Sequence, residues 1–274
     1  MTLNCHGNLL DLTVPKVMGI LNVTPDSFYD GGSYSSLSAV VQQAESMLDA
    51  GATFLDIGGY SSKPNAAEVS VDEELHRVLP VVKALRQTFP TALLSIDTFR
   101  SVVAQVVLDE GVAMVNDISA GADPNMMAIL AKYKVPYVMM HLRGNPQTMQ
   151  SLTQYENLIP DLLYYFAEKI QAAKAAGIFD YIVDPGFGFA KTTEQNFEIL
   201  AHLDCFKSLE APLLIGVSRK SMVYKTLETT PDLALNGTTF LHGFALSKGA
   251  KILRVHDVKE AVECITLHQK LHQV

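Results

Sequence analysis

Short apolar stretches alternate along the chain with longer stretches of amphipathic, helix-like spacing. The apolar stretches are rich in β-branched residues and have the length of β-strands. They span residues 15–23, 53–59, 92–98, 113–119, 136–142, 181–187, 212–218 and 251–257. Helical spacing is clearest in residues 38–50, 71–89, 101–110 and 158–176, and three of these are followed by a glycine, as is typical of a helix C-cap.

The order of these elements predicts the architecture. Strands that are apolar along their whole length and separated by helices are typical of a parallel sheet covered on both faces. Eight strand–helix units in about 250 residues predict an α/β fold, a single (β/α)8 TIM barrel. An open doubly wound sheet fits less well, because no Gly-x-Gly-x-x-Gly follows the first strand. No linker divides the chain, so we expect one domain over residues 1–274, with the barrel core at about 15–268.

Polar side chains stand at the carboxyl end of nearly every predicted strand. These ends share one face of a barrel, the face on which barrel active sites are built. The polar residues are Asn22, Asp56, Asp97, Asn116, Asp117, His141, Asp184, Ser218, Arg219, Lys220, Arg254 and His256. One such residue alone could simply cap a helix or hold a turn. Their convergence favours a site for a ligand with many hydrogen-bonding groups and negative charge.

Two loops refine this picture. Residues 22–28 and 58–65 follow the first two strands and are rich in hydroxyl groups, glycine and proline, which suits anion binding as well as ordinary surface turns. Cations follow the last two strands, where barrels often bind phosphate.

Composition and charge narrow the classes of function. The formal charge of −8 argues against a nucleic-acid-binding surface but allows a local basic site for a small anion. We expect neither a membrane span nor a signal peptide, because no apolar stretch reaches about 18 residues and the amino terminus has no basic region before an apolar one. The cysteines Cys5, Cys205 and Cys264 fit neither a disulfide framework nor a zinc site, which favours a reducing compartment, the cytoplasm.

Eight motifs carry a resemblance to a known family. They are MGILNVTPDSF (18–28), DIGGYSSKP (56–64), SIDT (95–98), VNDIS (115–119), MMHLRGNPQTM (139–149), VDPGFGF (183–189), IGVSRKS (215–221) and RVHDV (254–258). In this order they resemble the dihydropteroate synthases, pterin-binding enzymes of folate biosynthesis. That family joins 6-hydroxymethyl-7,8-dihydropterin diphosphate to 4-aminobenzoate with loss of diphosphate, on a (β/α)8 barrel that uses Mg²⁺. Departure of diphosphate can leave a cation delocalised over the pterin, so no protein nucleophile is needed.

The resemblance implies a pterin pocket at the barrel mouth. Its residues would be Asp97, Asn116, Ile118, Met140, Asp184, Phe189 and Lys220. Asp184 would accept from N3–H and the 2-amino group, with Asn116 on the other side of that edge. Asp97 would accept from N8–H, and Lys220 would donate to the 4-oxo oxygen and N5. Ile118, Met140 and Phe189 would form the apolar walls.

The resemblance also implies an anion end and an aminobenzoate end. Diphosphate would be bound by Asn22, Ser62, Lys63, Arg254 and His256, with Mg²⁺ on Asn22. The aminobenzoate would be bordered by Phe28, Pro64, Arg219, Lys220 and Ser221. The residues expected to act in catalysis are Asp97, Lys220, Arg254 and His256. A dimer through residues 236–249 is expected, as is common in this family.

One segment departs from the usual pattern of the family. Tyr60 stands where a glutamate is usual, and Lys63 replaces a bidentate guanidinium with a point charge. These two replacements leave open how the second loop binds diphosphate and how the protein responds to sulfonamides. Two alternatives remain: a pterin-dependent methyltransferase, which has no use for a diphosphate site, and a pterin-binding paralogue without catalysis. His141, Asp56 and Asp117 are expected to support the site rather than to bind ligand.

Overall fold

Eight parallel strands form the centre of the molecule in a computed structural model that describes residues 1–23, 34–61 and 68–271. They follow a hairpin of two strands, β1 (Thr2–Cys5) and β2 (Asn8–Asp11). Strands β3 to β10 span Lys16–Asn22, Phe54–Gly58, Leu93–Asp97, Met114–Asp117, Tyr137–Met140, Tyr181–Asp184, Leu214–Ile215 and Ile252–Val255. Each of the eight predicted strands is therefore confirmed, with ends that differ by a few residues.

The sheet closes on itself. Its strand order is β8-β7-β6-β5-β4-β3-β10-β9, and a parallel bridge between Val183 and Leu213 joins the two outer strands. Helices α1 to α9 span Tyr34–Asp49, Val71–Thr88, Ser101–Asp109, Met126–Tyr133, Leu158–Ala175, Thr193–Ala201, Ser221–Thr226, Leu235–Ser247 and Val258–Leu271. Short 3₁₀ helices span Met149–Ser151, Leu203–Leu209 and Pro231–Leu233. The α/β barrel expected from the sequence is confirmed.

Alternation along the strands separates two packing regions, because successive side chains point to opposite faces of a strand. One set, which includes Leu55, Ile96 and Val115, packs outward against the helices in the main core. The other set faces the barrel axis and forms a second apolar cluster, which includes Phe54, Met114 and neighbours on the other strands. On four of the strands the next axis-facing side chain is polar and lies at the mouth: Asp56, Asn116, Asp184 and Arg254.

The amino-terminal hairpin closes the opposite end of the barrel. Leu3, Cys5 and Leu12 are buried in the same cluster as the axis-facing side chains. Burial raises the pKa of the Cys5 thiol to about 12. This hairpin was not predicted from the sequence.

None of the described helices has the length and apolar character that crossing a membrane requires.

Candidate active site

A guanidinium bridges two carboxylates at the centre of the mouth. Arg254, on β10, donates from Nε to Asp56 Oδ2 at 2.6 Å and from Nη2 to Asp97 Oδ2 at 2.6 Å. Asn116 donates from Nδ2 to the same Asp56 oxygen at 2.9 Å. Four predicted residues from β4, β5, β6 and β10 therefore form one hydrogen-bonded group, in which Asp56 contacts Arg254 and Asn116, and Arg254 connects Asp97 to them.

This group has unusual electrostatics because it is removed from water. Burial raises the pKa of Asp97 to about 7, against the opposing effect of Arg254, and Asp56 adds to the rise. For Arg254, burial would lower the pKa, but Asp56 and Asp97 outweigh it and raise the pKa above its usual value. Asp97 thus has a proton affinity suited to changes near neutral pH, whereas Arg254 stays charged.

Gly58 allows two polar side chains to converge at the end of β4. A β-carbon at position 58 would lie 3.4 Å from Asn22 Oδ1 and 3.9 Å from Asp97 Oδ2. A β-carbon there would make ordinary van der Waals contact with both groups. The structure places Asn22, the residue predicted to contact metal and diphosphate, beside the Asp97–Arg254 pair.

The turn after β8 joins Asp184 to Lys220. Asp184 is buried and accepts from Gly186 N–H at 2.8 Å through Oδ1. Lys220 donates from Nζ to the carbonyl of Phe187, and its Nζ lies 4.4 Å from the ring centroid of Phe189. Burial lowers the pKa of Lys220 to about 8, while the Asp184 carboxylate opposes this shift. Burial also raises the pKa of Asp184, while Lys220 opposes that rise.

Apolar side chains complete this part of the mouth. Ile118 and Met140 are buried, and Phe189 is half-buried. Ile118 lies in a turn held by Asp117, whose carboxylate accepts from Tyr137 Oη at 2.7 Å and from backbone N–H groups of the turn. The seven residues predicted for the pterin pocket lie at the ends of neighbouring strands or in the turns after them.

A serine orients the predicted diphosphate-binding histidine. His256 is exposed, and its Nδ1 lies 3.1 Å from Ser218 Oγ, which also accepts from the His256 N–H at 3.2 Å. With its oxygen accepting from the backbone, the serine hydroxyl can donate to Nδ1. The proton of a neutral ring then lies on Nε2.

Adjacent cations at the end of β9 point in different directions. Arg219 makes two contacts with Asp257, from Nε at 2.8 Å and from Nη2 at 2.7 Å. Its Nη1 donates to the carbonyls of Pro231 and Asp232 at 3.2 and 3.1 Å. The guanidinium predicted to border the aminobenzoate thus holds the 3₁₀ helix at 231–233, whereas Lys220 faces the mouth. Ser221 begins α7 and is half-buried.

Four predicted ligand contacts lie outside the described residues. They are Phe28, Ser62, Lys63 and Pro64.

Tyr60 packs into a cluster with Phe99, Arg100 and Gln147. Its hydroxyl accepts from Gln147 Nε2 at 3.2 Å, and its ring meets Phe99 edge-on with centroids 5.3 Å apart. The guanidinium of Arg100 lies 5.6 Å from the Tyr60 centroid, donates to Glu74 Oε2 at 2.7 Å and donates to the carbonyl of Val69. Arg100 therefore contacts the chain on both sides of residues 62–67.

Sequence reasoning missed Lys191, which is buried beneath the turn after β8. Its Nζ contacts Gly186 O, Phe189 O and His141 Nδ1. A lone lysine after a strand is usually exposed, so only its place directly after the VDPGFGF motif could have drawn attention to it.

The fold and the mouth define a (β/α)8-barrel protein whose strand ends carry a cluster of polar and charged side chains. A family model described as "Pterin binding enzyme" matches residues 18–256. The chain belongs to this family.

Similar proteins are dihydropteroate synthases. The Escherichia coli K12 dihydropteroate synthase is 44% identical over 267 residues, which cover 97% of this chain and 94% of the relative. The Yersinia pestis dihydropteroate synthase, solved with a sulfonamide drug complex, has a TM-score of 0.94 and 44% identity, with full coverage of both chains. The Xanthomonas albilineans enzyme in complex with 7,8-dihydropteroate has a TM-score of 0.89 and 36% identity, again with full coverage of both chains.

Proposed function

We propose that this protein condenses 6-hydroxymethyl-7,8-dihydropterin diphosphate with 4-aminobenzoate to give 7,8-dihydropteroate and diphosphate. The observation that carries the proposal is the arrangement at the mouth: two carboxylates, a carboxamide and a half-buried lysine lie at the ends of neighbouring strands, beside the apolar side chains of Ile118, Met140 and Phe189. Full-length similarity to dihydropteroate synthases supports the same activity.

Pterin recognition follows from the hydrogen-bond donors and acceptors of these residues. The 2-amino and N3–H groups of a pterin are adjacent donors, and the Asp184 carboxylate offers adjacent acceptor oxygens. Asp56 holds the Asn116 amide nitrogen at 2.9 Å, which fixes which end of that carboxamide is the acceptor. A ligand without these donors would leave buried acceptors unpaired, which is a strong basis for selectivity.

Charge stabilisation would be the main catalytic contribution. When diphosphate leaves, positive charge develops on the ring, and a carboxylate fixed beside N8–H stabilises it. Arg254 holds Asp97 in place at 2.6 Å, so little reorganisation is needed as the charge develops. Lys220 binds the 4-oxo oxygen and N5 from the other side of the ring. The aminobenzoate amine then attacks the methylene carbon and loses a proton.

The anion end combines Arg254, His256 and Asn22 with Ser62 and Lys63. The Nη1 group of Arg254 is not one of the donors used by Asp56 and Asp97, so it can serve the departing diphosphate. His256 can donate from Nε2 when Ser218 satisfies Nδ1. Both groups lie on or just after β10, the last strand of the barrel, where phosphate often binds.

Magnesium is proposed as the metal that accompanies diphosphate, with Asn22 as its protein ligand. Asn22 Oδ1 is a hard oxygen at the mouth, next to the β-carbon position of Gly58. Among the described residues no group of three or more His, Cys, Asp or Glu could hold a metal. One carboxamide together with substrate phosphates is a usual way to bind Mg²⁺, so the residues fit. When bound, the ion would neutralise charge on the leaving group.

The aminobenzoate is proposed to lie between Lys220, Ser221 and the loop residues Phe28 and Pro64. Arg219 would affect aminobenzoate binding only indirectly. Asp257 pairs with its guanidinium, and its Nη1 donates to carbonyls of the 231–233 segment. Lys220 would contact both substrates.

The proposal is tested by product formation. Purified protein is mixed with the dihydropterin diphosphate, 4-aminobenzoate and Mg²⁺, and diphosphate and dihydropteroate are both quantified. Equal amounts of the two products, dependent on each component, are expected. Pterin binding without product would overturn the transferase activity and indicate a binding paralogue. Methyl transfer to a corrinoid acceptor, without diphosphate release, would indicate the methyltransferase.

We also propose a homodimer formed through α8 and α9. Phe240 is 71% exposed and Leu271 is 77% exposed, and with Phe244 they line an open groove of about 480 Å³. Exposed apolar clusters of this kind commonly mark interfaces. Phe240→Asp should convert a dimer to a monomer in light scattering, whereas Phe179→Asp, at an equally exposed site before β8, should not. A wild-type monomer would exclude the dimer.

A cytoplasmic location is proposed because the three cysteines, all in described regions, are free and suit a reducing compartment.

A further inference from the structure

The turn after β8 is fixed from below by one buried amino group. Lys191 is only 4% exposed, and its Nζ lies 3.1 Å from Gly186 O, 3.0 Å from Phe189 O and 2.9 Å from His141 Nδ1. Gly186 and Phe189 are the two ends of the turn, and His141 follows β7. One nitrogen therefore connects both ends of the turn to the neighbouring strand of the barrel.

These three contacts satisfy the nitrogen completely. As an ammonium it donates to two carbonyls and to the imidazole, and as a neutral amine it donates to the carbonyls and accepts from the ring. Burial lowers the pKa of Lys191 well below its usual value, with Asp184 opposing the shift. Burial lowers the pKa of His141 to about 2, and Lys191 adds to this effect, so the imidazole is neutral.

The same turn carries groups of the proposed pterin pocket on its other side. Gly186 N–H donates to Asp184 at 2.8 Å, and the carbonyl of Phe187 accepts from Lys220. The Phe189 ring lies under the Lys220 ammonium at 4.4 Å. Displacement of the turn would therefore shift both the Asp184 acceptor and the Lys220 donor and could change the distance between them.

Left-handed backbone makes this turn dependent on outside contacts. Gly186 and Gly188 have φ of +73° and +81°. Gly186 also passes so close to β7 that a β-carbon there would lie 2.2 Å from His141 O. A turn with two glycines can adopt several similar backbone conformations, because glycine enters many regions of φ and ψ at little cost. Contacts to its carbonyls select one of them.

We propose that Lys191 is a positioning residue for pterin binding: by holding the carbonyls of Gly186 and Phe189 against His141, it sets the separation of Asp184 and Lys220. The inference rests on the proposed function. It gives Lys191 no contact with substrate. Its effect should be larger on the pterin, whose edge needs both groups, than on the aminobenzoate, which of the two contacts only Lys220.

The test uses Lys191→Met, which keeps the length of the side chain and removes all three contacts. The control is Tyr155→Phe, because the Tyr155 hydroxyl donates at 2.9 Å to the carbonyl of Ala190, just outside the turn. Titration with the dihydropterin diphosphate and Mg²⁺ gives the pterin dissociation constant. Steady-state kinetics give the KM for 4-aminobenzoate, and thermal unfolding is recorded for each protein.

Lys191→Met should raise the pterin dissociation constant by about tenfold or more, as expected when hydrogen bonds that fix a binding group are lost. The KM for 4-aminobenzoate should rise clearly less than the pterin dissociation constant, because only Lys220 of the two groups contacts that substrate, and Tyr155→Phe should leave both constants unchanged. His141→Phe removes one contact of three and should give a smaller shift in the same direction. That variant also tests the inference if Lys191→Met does not fold.

Two results would overturn the inference alone. One is a folded Lys191→Met protein with wild-type pterin affinity. The other is an equal loss for both substrates that follows the loss of thermal stability, since this would indicate general support of the fold. A wild-type protein that does not bind the pterin would overturn the proposed function, and the inference with it.

Discussion

Arg254 Nη2 donates to Asp97 Oδ2 across 2.6 Å, although the two residues lie on β10 and β5 and are 157 positions apart. The barrel brings these strands to one mouth, and the same guanidinium also contacts Asp56 at 2.6 Å. One fixed cation thus holds the carboxylate that we propose for stabilising charge on the pterin. The pair links the pterin end of the site to its anion end.

Asp97→Asn removes the negative charge of this side chain and keeps its shape, so the variant tests the contribution of the charge alone. The amide is nearly isosteric, and Arg254 keeps its contact with Asp56. We expect kcat to fall by about a hundredfold, the typical cost of losing one preorganised electrostatic contact in a transition state. The free energy of unfolding should change by less than about 1 kcal/mol, because a buried carboxylate is itself costly. Single-turnover kinetics and urea unfolding measure the two effects, and a wild-type kcat would exclude Asp97 from the charge-stabilising role.

Activity should have a narrow optimum in pH. Asp97 carries the negative charge that stabilises the pterin cation only when ionised, and its pKa is raised to about 7 by burial, so kcat/KM should rise with pH through that value. Lys220 offers the 4-oxo oxygen a charged donor only when protonated, and burial lowers its pKa to about 8, so kcat/KM should fall above it. Profiles from pH 5 to about 10 check both limbs.

Two variants show which residue controls each limb of the pH profile of kcat/KM. Asp97→Asn should remove the rising limb and leave the falling one. Lys220→Arg, which stays protonated, should shift the fall to higher pH. A rising limb that persists in Asp97→Asn would show that another group controls it.

The sequence predicted most of the barrel because its strands are locally apolar and β-branched. It also predicted the mouth, since Asp56, Asp97 and Asn116 stand at the carboxyl ends of their strands, and those ends share one face of a barrel. It missed the amino-terminal hairpin, whose second strand, Asn8–Asp11, is only four residues long and largely exposed. The tendency to form a barrel strand can be seen in the local sequence, but the packing of such a short hairpin depends on residues distant in the chain.

Side-chain direction was harder to predict than position. Arg219 and Lys220 are adjacent, yet Arg219 has φ of +54° and turns toward Asp257, 38 residues away, whereas Lys220 faces the pocket. Lys191 is buried because His141, 50 residues earlier, packs beside it. Both outcomes depend on contacts distant in sequence, which local periodicity does not encode.

Two glycines with similar backbone conformation should differ in what they tolerate. Gly177 and Gly186 have φ of +84° and +73°, but a β-carbon at 177 meets nothing within 4 Å, whereas one at 186 would lie 2.2 Å from His141 O. Gly177→Ala should cost about 1–2 kcal/mol from backbone strain alone. Gly186→Ala should cost more than about 4 kcal/mol, because backbone must also shift. Urea unfolding compares them, and equal costs would argue against the close packing of the turn on β7.

The ion pair beneath the second loop should contribute strongly to stability because it is buried. Glu74 is fully buried, and Thr98 Oγ1 donates to it at 2.6 Å, while Arg100 pairs with it at 2.7 Å and is 19% exposed. Arg100→Leu leaves this carboxylate without its counter-charge. We expect a loss of about 3–5 kcal/mol in the free energy of unfolding.

A surface pair provides the matched control for this prediction. Lys83 and Glu110 lie 3.3 Å apart with side chains 55% and 36% exposed, so Lys83→Leu should cost less than about 1 kcal/mol. Adding Glu74→Gln to Arg100→Leu should recover part of the loss, since a neutral amide is less costly to bury than a lone carboxylate. Similar losses for Arg100→Leu and Lys83→Leu, or no recovery in the double variant, would show that charge pairing at Glu74 does not stabilise this side of the barrel mouth.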